Sequence, residues 1–221
     1  MKLVDTLAEQ ALLEQILDES KPPVPPECRR LHYLLATPFR YGAPYPVGSR
    51  FRRPGLTPGV FYASKTPATA IAELTCHRLL FFAESPETPW PANAGEHTVF
   101  AARFRANAGL DLTAAPLDRD EARWTHPTDY GACQDLAEAA RTAGVQAIRY
   151  RSVRDVRDGF NIALLTCAAF TSREPIERQT WRLHFSAAGA RAICDDPAQR
   201  MEFDRTAFAS DPRIAACNWN R

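Results

Sequence analysis

Three groups of residues in this chain have types and spacings that suit chemistry. Glu73 and His77 stand four apart in the run Ala68 to Phe82, so on a helix they share a face with Ala70 and Leu80. The other positions there (Ile71, Leu74, Leu79, Phe81, Phe82) are apolar. A carboxylate on so apolar a helix needs a partner. It either satisfies a neighbouring arginine or points into a cleft. Arg40, Arg50, Arg52 and Arg53 form the second group, in a stretch broken by Gly42, Pro44, Pro46 and Gly48. Guanidinium forks in such a loop suit phosphate oxygens; the bland alternative is a solvated basic loop. The third group is Arg151-Ser152-Val153-Arg154-Asp155 followed by Gly159-Phe160-Asn161. A serine ends one strand there and an asparagine opens an apolar one. That is a frequent layout for a site, and equally an ordinary strand-to-loop transition.

Several functions are disfavoured by what is missing. No G-x-S-x-G, phosphate-binding P-loop or G-x-G-x-x-G occurs, which weighs against hydrolase elbows, nucleotide kinases and dinucleotide-binding enzymes of the Rossmann type. The chain has 27 basic and 26 acidic residues, a net of +1, without the electrostatic footprint of a general nucleic-acid binder. Six cysteines (28, 76, 133, 167, 194, 217) are widely spaced with no C-x-x-C pair, so no metal site is expected. They read as reduced, mostly buried thiols of a cytoplasmic protein, all six free. The longest apolar run, Asn161 to Phe170, falls far short of the roughly 20 residues of a spanning helix. Met1-Lys2-Leu3-Val4-Asp5 has no apolar signal core. No membrane association is expected.

The elements that must position these residues follow from periodicity. Residues 3–18 place Leu3, Leu7 and Ala11 on one side, with Val4, Ala8, Leu12 and Ile16 beside them, and predict an amphipathic helix. Ser20 to Pro26, with four prolines, stops it and forms a stiff linker. Residues 1–30 are thus read as helix plus linker. Residues 31–221 are read as one domain, with a core over about 31–170 and an extension over 171–221. The helix packs on its own domain or offers its face to a partner. A short strand is expected to open Leu31 to Arg53, followed by loop. Gly59 to Ala63 reads as a strand. Thr66 suits a helix cap and Pro67 the first position of a helix reaching about Phe82. Further strands are predicted at Thr98–Arg105, Val145–Arg151, Asn161–Ala169 and Gln179–Phe185, with a helix over Asp129–Ala143 ended by Gly144. Residues 84–96 read as surface loop and 111–127 as irregular. Ile148, Tyr150 and Ser152 share a face, and the apolar run from Asn161 suits a central strand. Strands without βα alternation, with few helices, argue for an α+β fold.

In chain order, Phe39-Arg40-Tyr41, Gly48-Ser49-Arg50-Phe51, Val60-Phe61-Tyr62-Ala63-Ser64, Thr69-Ala70-Ile71-Ala72-Glu73, Ile148-Arg149-Tyr150-Arg151-Ser152 and Asn161-Ile162-Ala163-Leu164-Leu165 together resemble the RES domain, a family named for its Arg, Glu and Ser. The resemblance spans about residues 31–170. It implies an ADP-ribosyltransferase-like fold, a mixed sheet core with flanking helices. It also implies a bacterial toxin of a toxin–antitoxin pair that consumes NAD+ as substrate. Some members release nicotinamide by phosphorolysis or hydrolysis, and others pass ADP-ribose to a protein; a non-catalytic binding module that kept the pocket is the third reading, and intact Arg40, Glu73 and Ser152 weigh against it. Phosphate, water and a protein side chain are therefore the candidate acceptors. The implied partner is an Xre-like helical antitoxin that occludes the site, and the N-terminal helix leaves room for a homo-oligomer. By the match, Arg40, Glu73 and Ser152 carry over as the signature trio, with Tyr41, Arg50 and Tyr62 as pocket residues. The arginine turn lacks the Trp-Asn pair of many members, so Arg52 stands as an alternative to Arg50. The N-terminal helix, the stretches 84–96 and 111–127, and the tail after 170 depart from compact members.

The residue types suit that chemistry. Breaking the nicotinamide–ribose bond expels a neutral leaving group and develops an oxocarbenium-like cation, so a carboxylate near the ribose helps more than a strong acid. Glu73 is the candidate. Arg40 and Arg50 could fix the pyrophosphate, and Tyr62 or Tyr41 could stack on nicotinamide. Ser152 would bond the carboxamide or a ribose hydroxyl. His77 would orient Glu73 or hold the adenosine ribose, and Asn161 would line the pocket.

Overall fold

One long helix touches both sheets of the molecule, and its residues explain why. This helix, α3 (Pro67–Glu84), starts where Thr66 accepts a hydrogen bond from the Thr69 amide at 3.2 Å, with Pro67 supplying the first turn. Ile71, Cys76, Leu79 and Phe82 are buried with Trp181, Leu183 and Phe185 in one core. The computed structural model describes residues 4–20, 22–40, 48–55 and 57–219.

The first sheet contains β1 (Phe61–Ser64), β3 (Gly109–Asp111), β4 (Ala147–Arg151) and β5 (Phe160–Leu164) in the order β1-β5-β4-β3. It is mixed, because β3 runs parallel to β4 while the other pairs are antiparallel. The second sheet is antiparallel throughout. It orders β2 (Gly95–Ala101), β6 (Glu177–Ser186), β7 (Gly189–Cys194) and β8 (Gln199–Asp204) as β2-β6-β7-β8. Helices flank both sheets, so the fold is α+β.

Register matters most in the first sheet. Ser64 pairs with Asn161, Tyr62 with Ala163, Tyr150 with Asn161 and Ile148 with Ala163. Paired residues point to the same face. Tyr62, Ser64, Asn161, Tyr150 and Ile148 therefore share one face. Helix α5 (Gly131–Thr142) contributes Cys133, Ala137 and Ala140 to the core there, beside Phe51 and Trp124. Phe61 and Leu164, on the other face, meet Leu35, Ala36 and Phe39 in a third core. β5 is the central strand the sequence suggests, with Asn161, Ala163 and Leu164 buried.

Some expectations shift. Leu31 to Arg40 does not open with a strand but forms α2 (Tyr33–Arg40). The His32 ring accepts the Leu34 amide at 3.2 Å at its start, and Leu35, Ala36 and Phe39 bury one helical face. A short apolar run reads equally as either element, and here burial at helical spacing decides. β5 ends at Leu164, and a 3-10 turn at Cys167–Ala169 replaces its expected continuation. Residues 111–127 contain a short helix, α4 (Glu121–Trp124), whose Trp124 is buried. The tail after 170 supplies three of the four strands of the second sheet, then α6 (Pro212–Ala215), which packs on α3.

Two cysteines depart from expectation. A disulfide joins Cys28 to Cys167, 139 residues away, with Cα atoms 5.9 Å apart. The 3-10 turn at Pro26–Cys28 packs against the turn at Cys167–Ala169, a proximity that sequence spacing hides. Cys76, Cys133, Cys194 and Cys217 are the free thiols. The cysteine argument for a reducing compartment loses its force with this pair. Helix α1 (Leu7–Glu19) forms within the predicted segment but leaves Leu7, Leu12, Ile16 and Leu17 exposed. Among the described residues, no helix is long and apolar enough to cross a membrane.

Candidate active site

α3 delivers Glu73 to the end of the first sheet's face where Ser64 and Asn161 pair. Its Oε1 accepts two short hydrogen bonds, from Ser152 Oγ at 2.6 Å and from Asn161 Nδ2 at 2.6 Å. Asn161 is aligned in turn by Ser64, whose hydroxyl donates to Asn161 Oδ1 at 2.7 Å. Both hydrogen bonds to the carboxylate fall on Oε1, and Oε2 has no hydrogen-bond partner among the described residues. The carboxylate is thus fixed through one oxygen with the other unspent.

Ser152 is used to capacity. A hydroxyl donates once and accepts twice. Ser152 Oγ donates to Glu73 and accepts the amides of Arg154 at 3.2 Å and Asp155 at 3.1 Å. The serine lies just past β4, where the chain turns, and its own amide bonds the Gly159 carbonyl at 2.8 Å. Nothing remains for a nicotinamide carboxamide or a ribose hydroxyl. The role this geometry allows Ser152 is to aim Glu73.

The turn is pinned against α3. Asp155 accepts the Thr69 hydroxyl at 2.7 Å and the Arg157 Nε at 2.8 Å. Burial pushes the Asp155 carboxyl up, but the hydrogen bonds from Arg157 and Thr69 outweigh it and hold the group below its ordinary value. Gly159 is required by close approach: a Cβ there would lie 2.4 Å from Thr69 Oγ1 and 2.6 Å from Asp155 Oδ2.

Aromatic hydroxyls ring the same face. Tyr150 is buried, and burial, reinforced by the Glu73 charge, pushes its phenol well above the ordinary value. Tyr62 keeps an exposed ring while its hydroxyl is enclosed, bonded to Ser49 Oγ at 2.8 Å and accepting the Phe51 amide at 2.9 Å. Enclosure raises the Tyr62 pKa, and the bonds from Ser49 and Phe51 oppose it. An open ring face with a tethered hydroxyl is a stacking surface.

The arginines separate. Arg50 is buried, donates to the Trp124 carbonyl at 2.7 Å and lies 4.6 Å from the centre of the Tyr130 ring. It is close enough to Tyr62 and Tyr150 to oppose their upward shifts. Arg52 is also buried, with Nε donating to the Thr57 carbonyl at 3.1 Å. Arg53 turns away to Asp135 and Glu138 on α5. Arg40 ends α2, and its Nε donates to the Pro22 carbonyl at 3.1 Å; it does not bond Glu73, Ser152 or Asn161. Tyr41 lies outside the described residues. His77 makes no hydrogen bond to Glu73. Its ring is exposed, yet surrounding atoms displace enough water to lower its pKa, with Glu73 opposing and Arg154 adding to the drop.

Of the residues singled out in the sequence, Glu73, Ser152 and Asn161 meet, while Tyr62 and Arg50 stand near Tyr150. The sequence names Arg154 and Asp155 only as neighbours of Ser152, without a role, and misses Ser64, Tyr150 and Tyr130 as site residues. Ser64 and Tyr150 carry a signal in strand alternation, but only the register joins them to Asn161. A cleft of about 900 Å³ between the two sheets is walled by Phe61, Phe100, Ile162, Leu164 and Phe170. Tyr62 and Ser64 border it, but it lacks the donors that fix Glu73, so the carboxylate cluster is the candidate site.

Compared with known proteins, residues 24–186 match the family model described as RES domain. No curated protein matches the chain. The match begins in the proline linker and ends with β6, and it contains every member of the Glu73 cluster.

Proposed function

Because the chain belongs to the RES domain family, whose members are NAD-acting domains associated with toxin–antitoxin modules, we propose that it cleaves the nicotinamide–ribose bond of NAD+ and passes the ADP-ribosyl group to phosphate or water. The observation that carries this reading is the Glu73 carboxylate, locked through Oε1 by Ser152 and Asn161 with Oε2 unspent. As the C–N bond breaks, its electron pair returns to the pyridinium ring and nicotinamide leaves neutral. Positive charge builds on the ribose, and a prepositioned carboxylate stabilises it without reorganising. An oxygen of phosphate or water then closes on the anomeric carbon, and water as acceptor also sheds a proton to solvent. Tyr62 offers the face for nicotinamide, and Arg50, whose charge reaches both Tyr62 and Tyr150, the cation for the pyrophosphate. An Xre-like antitoxin holds the toxin inactive, and the cytoplasm, where the NAD+ pool lies, is the place of action.

The test is a nicotinamide-release assay on the purified chain, with and without phosphate, beside intact-mass analysis of host proteins. Release that rises with phosphate supports phosphorolysis, and release independent of it supports hydrolysis. Host proteins heavier by one ADP-ribose, with no free ADP-ribose or ADP-ribose phosphate formed, would replace this reading by protein modification.

A further inference from the structure

We propose that Asp211, in the C-terminal segment beyond the family match, is a positioning residue for Glu73, acting through Arg154 and the Ser152 turn. The inference rests on the reading of Glu73 as the group that faces the ribose.

The chain of contacts runs inward from α6. Asp211 is fully buried and caps that helix, accepting the Arg213 amide at 3.0 Å. Its other oxygen faces two guanidinium groups, Arg213 Nη2 at 2.9 Å and Arg154 Nη2 at 3.4 Å. Arg154 is only 5% exposed, and the same Nη2 donates to the Pro127 carbonyl at 2.8 Å. Its Nη1 is buried with no hydrogen-bond partner among the described residues. Asp211 is thus the only carboxylate in ion-pair contact with this cation among the described residues.

That matters because Arg154 does two jobs. Its side chain anchors the turn against the C-terminal segment, and its backbone amide is one of the two donors that orient the Ser152 hydroxyl. A buried guanidinium stripped of its counter-charge moves toward water. The Arg154 backbone would follow, the 3.2 Å bond to Ser152 Oγ would open, and the Ser152 hydrogen would no longer be directed at Glu73 Oε1. Because α6 also packs on α3, Asp211 ties the turn and the helix bearing Glu73 to one point. Among the described residues of the 24–186 match, none supplies an ion pair to Arg154.

The experiment is a double-mutant cycle on the full chain, using Asp211→Asn, Ser152→Ala and both together, read by nicotinamide release at saturating NAD+ and by thermal melting. Asn keeps the helix cap and removes the charge. Asp211→Asn should lower kcat on the order of 10-fold, as small misplacements of catalytic groups do, with KM moving far less. In the Ser152→Ala background the same change should alter kcat less than about 2-fold, because the turn then has no hydroxyl to aim. Equal losses in both backgrounds, or no loss in the parent, would overturn the proposal while leaving the reaction intact. A parent chain that releases no nicotinamide would instead overturn the reading of the reaction, and this proposal with it. Should Asp211→Asn lose its melting transition, Arg154→Lys takes its place in the cycle under the same criteria, since Lys keeps a cation but, as a point charge on a shorter stem, does not reproduce the Nη2 that meets both Pro127 and Asp211.

Discussion

At the residue scale the centre of the molecule is a carboxylate whose surroundings are spent on aiming it. Glu73→Gln keeps the shape and removes the charge. It should cut nicotinamide release by about 10²–10³, the usual cost of losing one charge-stabilising group, with an unchanged circular dichroism spectrum. A variant within a few-fold of the parent would make Glu73 structural. The helical period places Glu73 on its face, and alternation places Ser152 with Tyr150, so these were legible in the sequence. The saturation of Ser152 was not, because it depends on two amides in a turn whose shape no periodicity encodes. The arginines illustrate the same limit. Arg50, Arg52 and Arg53 look alike as a cluster, yet one lies over Tyr130, one bonds Thr57 and one pairs with α5. The cysteines give a second test. Burial pushes the Cys76 thiol up to about 12, so it should resist alkylation in the native protein while the more open Cys217 reacts. Titration of the denatured chain should count four thiols without reductant, and six after reduction, given the Cys28–Cys167 bond. Six without reductant would remove the disulfide.

At the element scale, the Ser152–Gly159 turn and α3 form one unit. Gly159→Ala should push the turn off Thr69 and Asp155, destabilising the fold by about 1–3 kcal/mol, as overpacking does, and lowering turnover together with the melting temperature. Unchanged melting would show that the turn can yield. Asp155 and Asp211 give this unit an acid limit. Burial pushes both carboxyls up, but Arg157 with Thr69 in one case, and Arg213 in the other, hold them below the ordinary value. A depressed carboxyl contributes stability that is complete above the unfolded pKa of about 3.9 and is lost as pH falls through its folded pKa. On their account the melting temperature should be level from about pH 7 to 5 and drop below about pH 4. Asp155→Asn should reduce that acid slope; an unaltered slope would assign it elsewhere. The elements themselves were legible where contrast was strong: the capped start of α3, α5 with its closing Gly144, and central β5. β7 and β8 were not, because Ala- and Arg-rich stretches such as Gly189–Cys194 alternate with little hydrophobic contrast. Their pairing with β6 carries them.

At the scale of the whole molecule, the three cores explain which segments the proposed reaction would depend on. The second sheet, the 3-10 turn at Arg205–Phe208 and α6 bury Trp181, Phe208 and Ile214 against α3, so the tail after 170 belongs to the scaffold of the Glu73 helix. The N-terminal helix stands apart from all three cores. Leu7 is 86% exposed and Leu12, Ile16 and Leu17 are each about half exposed. Full burial of such side chains is worth roughly 1.5–3 kcal/mol each, and α1 contributes little of that to the fold. The proline linker is different. Pro22 accepts the Arg40 guanidinium at 3.1 Å, and Cys28 anchors the linker to Cys167. Removing residues 1–20 spares both contacts. The truncated chain should therefore melt within about 2 °C of the parent, a shift that in a chain of this size corresponds to less than about 1 kcal/mol. It should also release nicotinamide within a few-fold of the parent rate. Removing residues 1–30 takes away Pro22 and Cys28 as well, and should lower the melting temperature clearly. If the shorter deletion alone abolished turnover in a folded chain, α1 would belong to the catalytic machinery, and the division between helix and linker would fall.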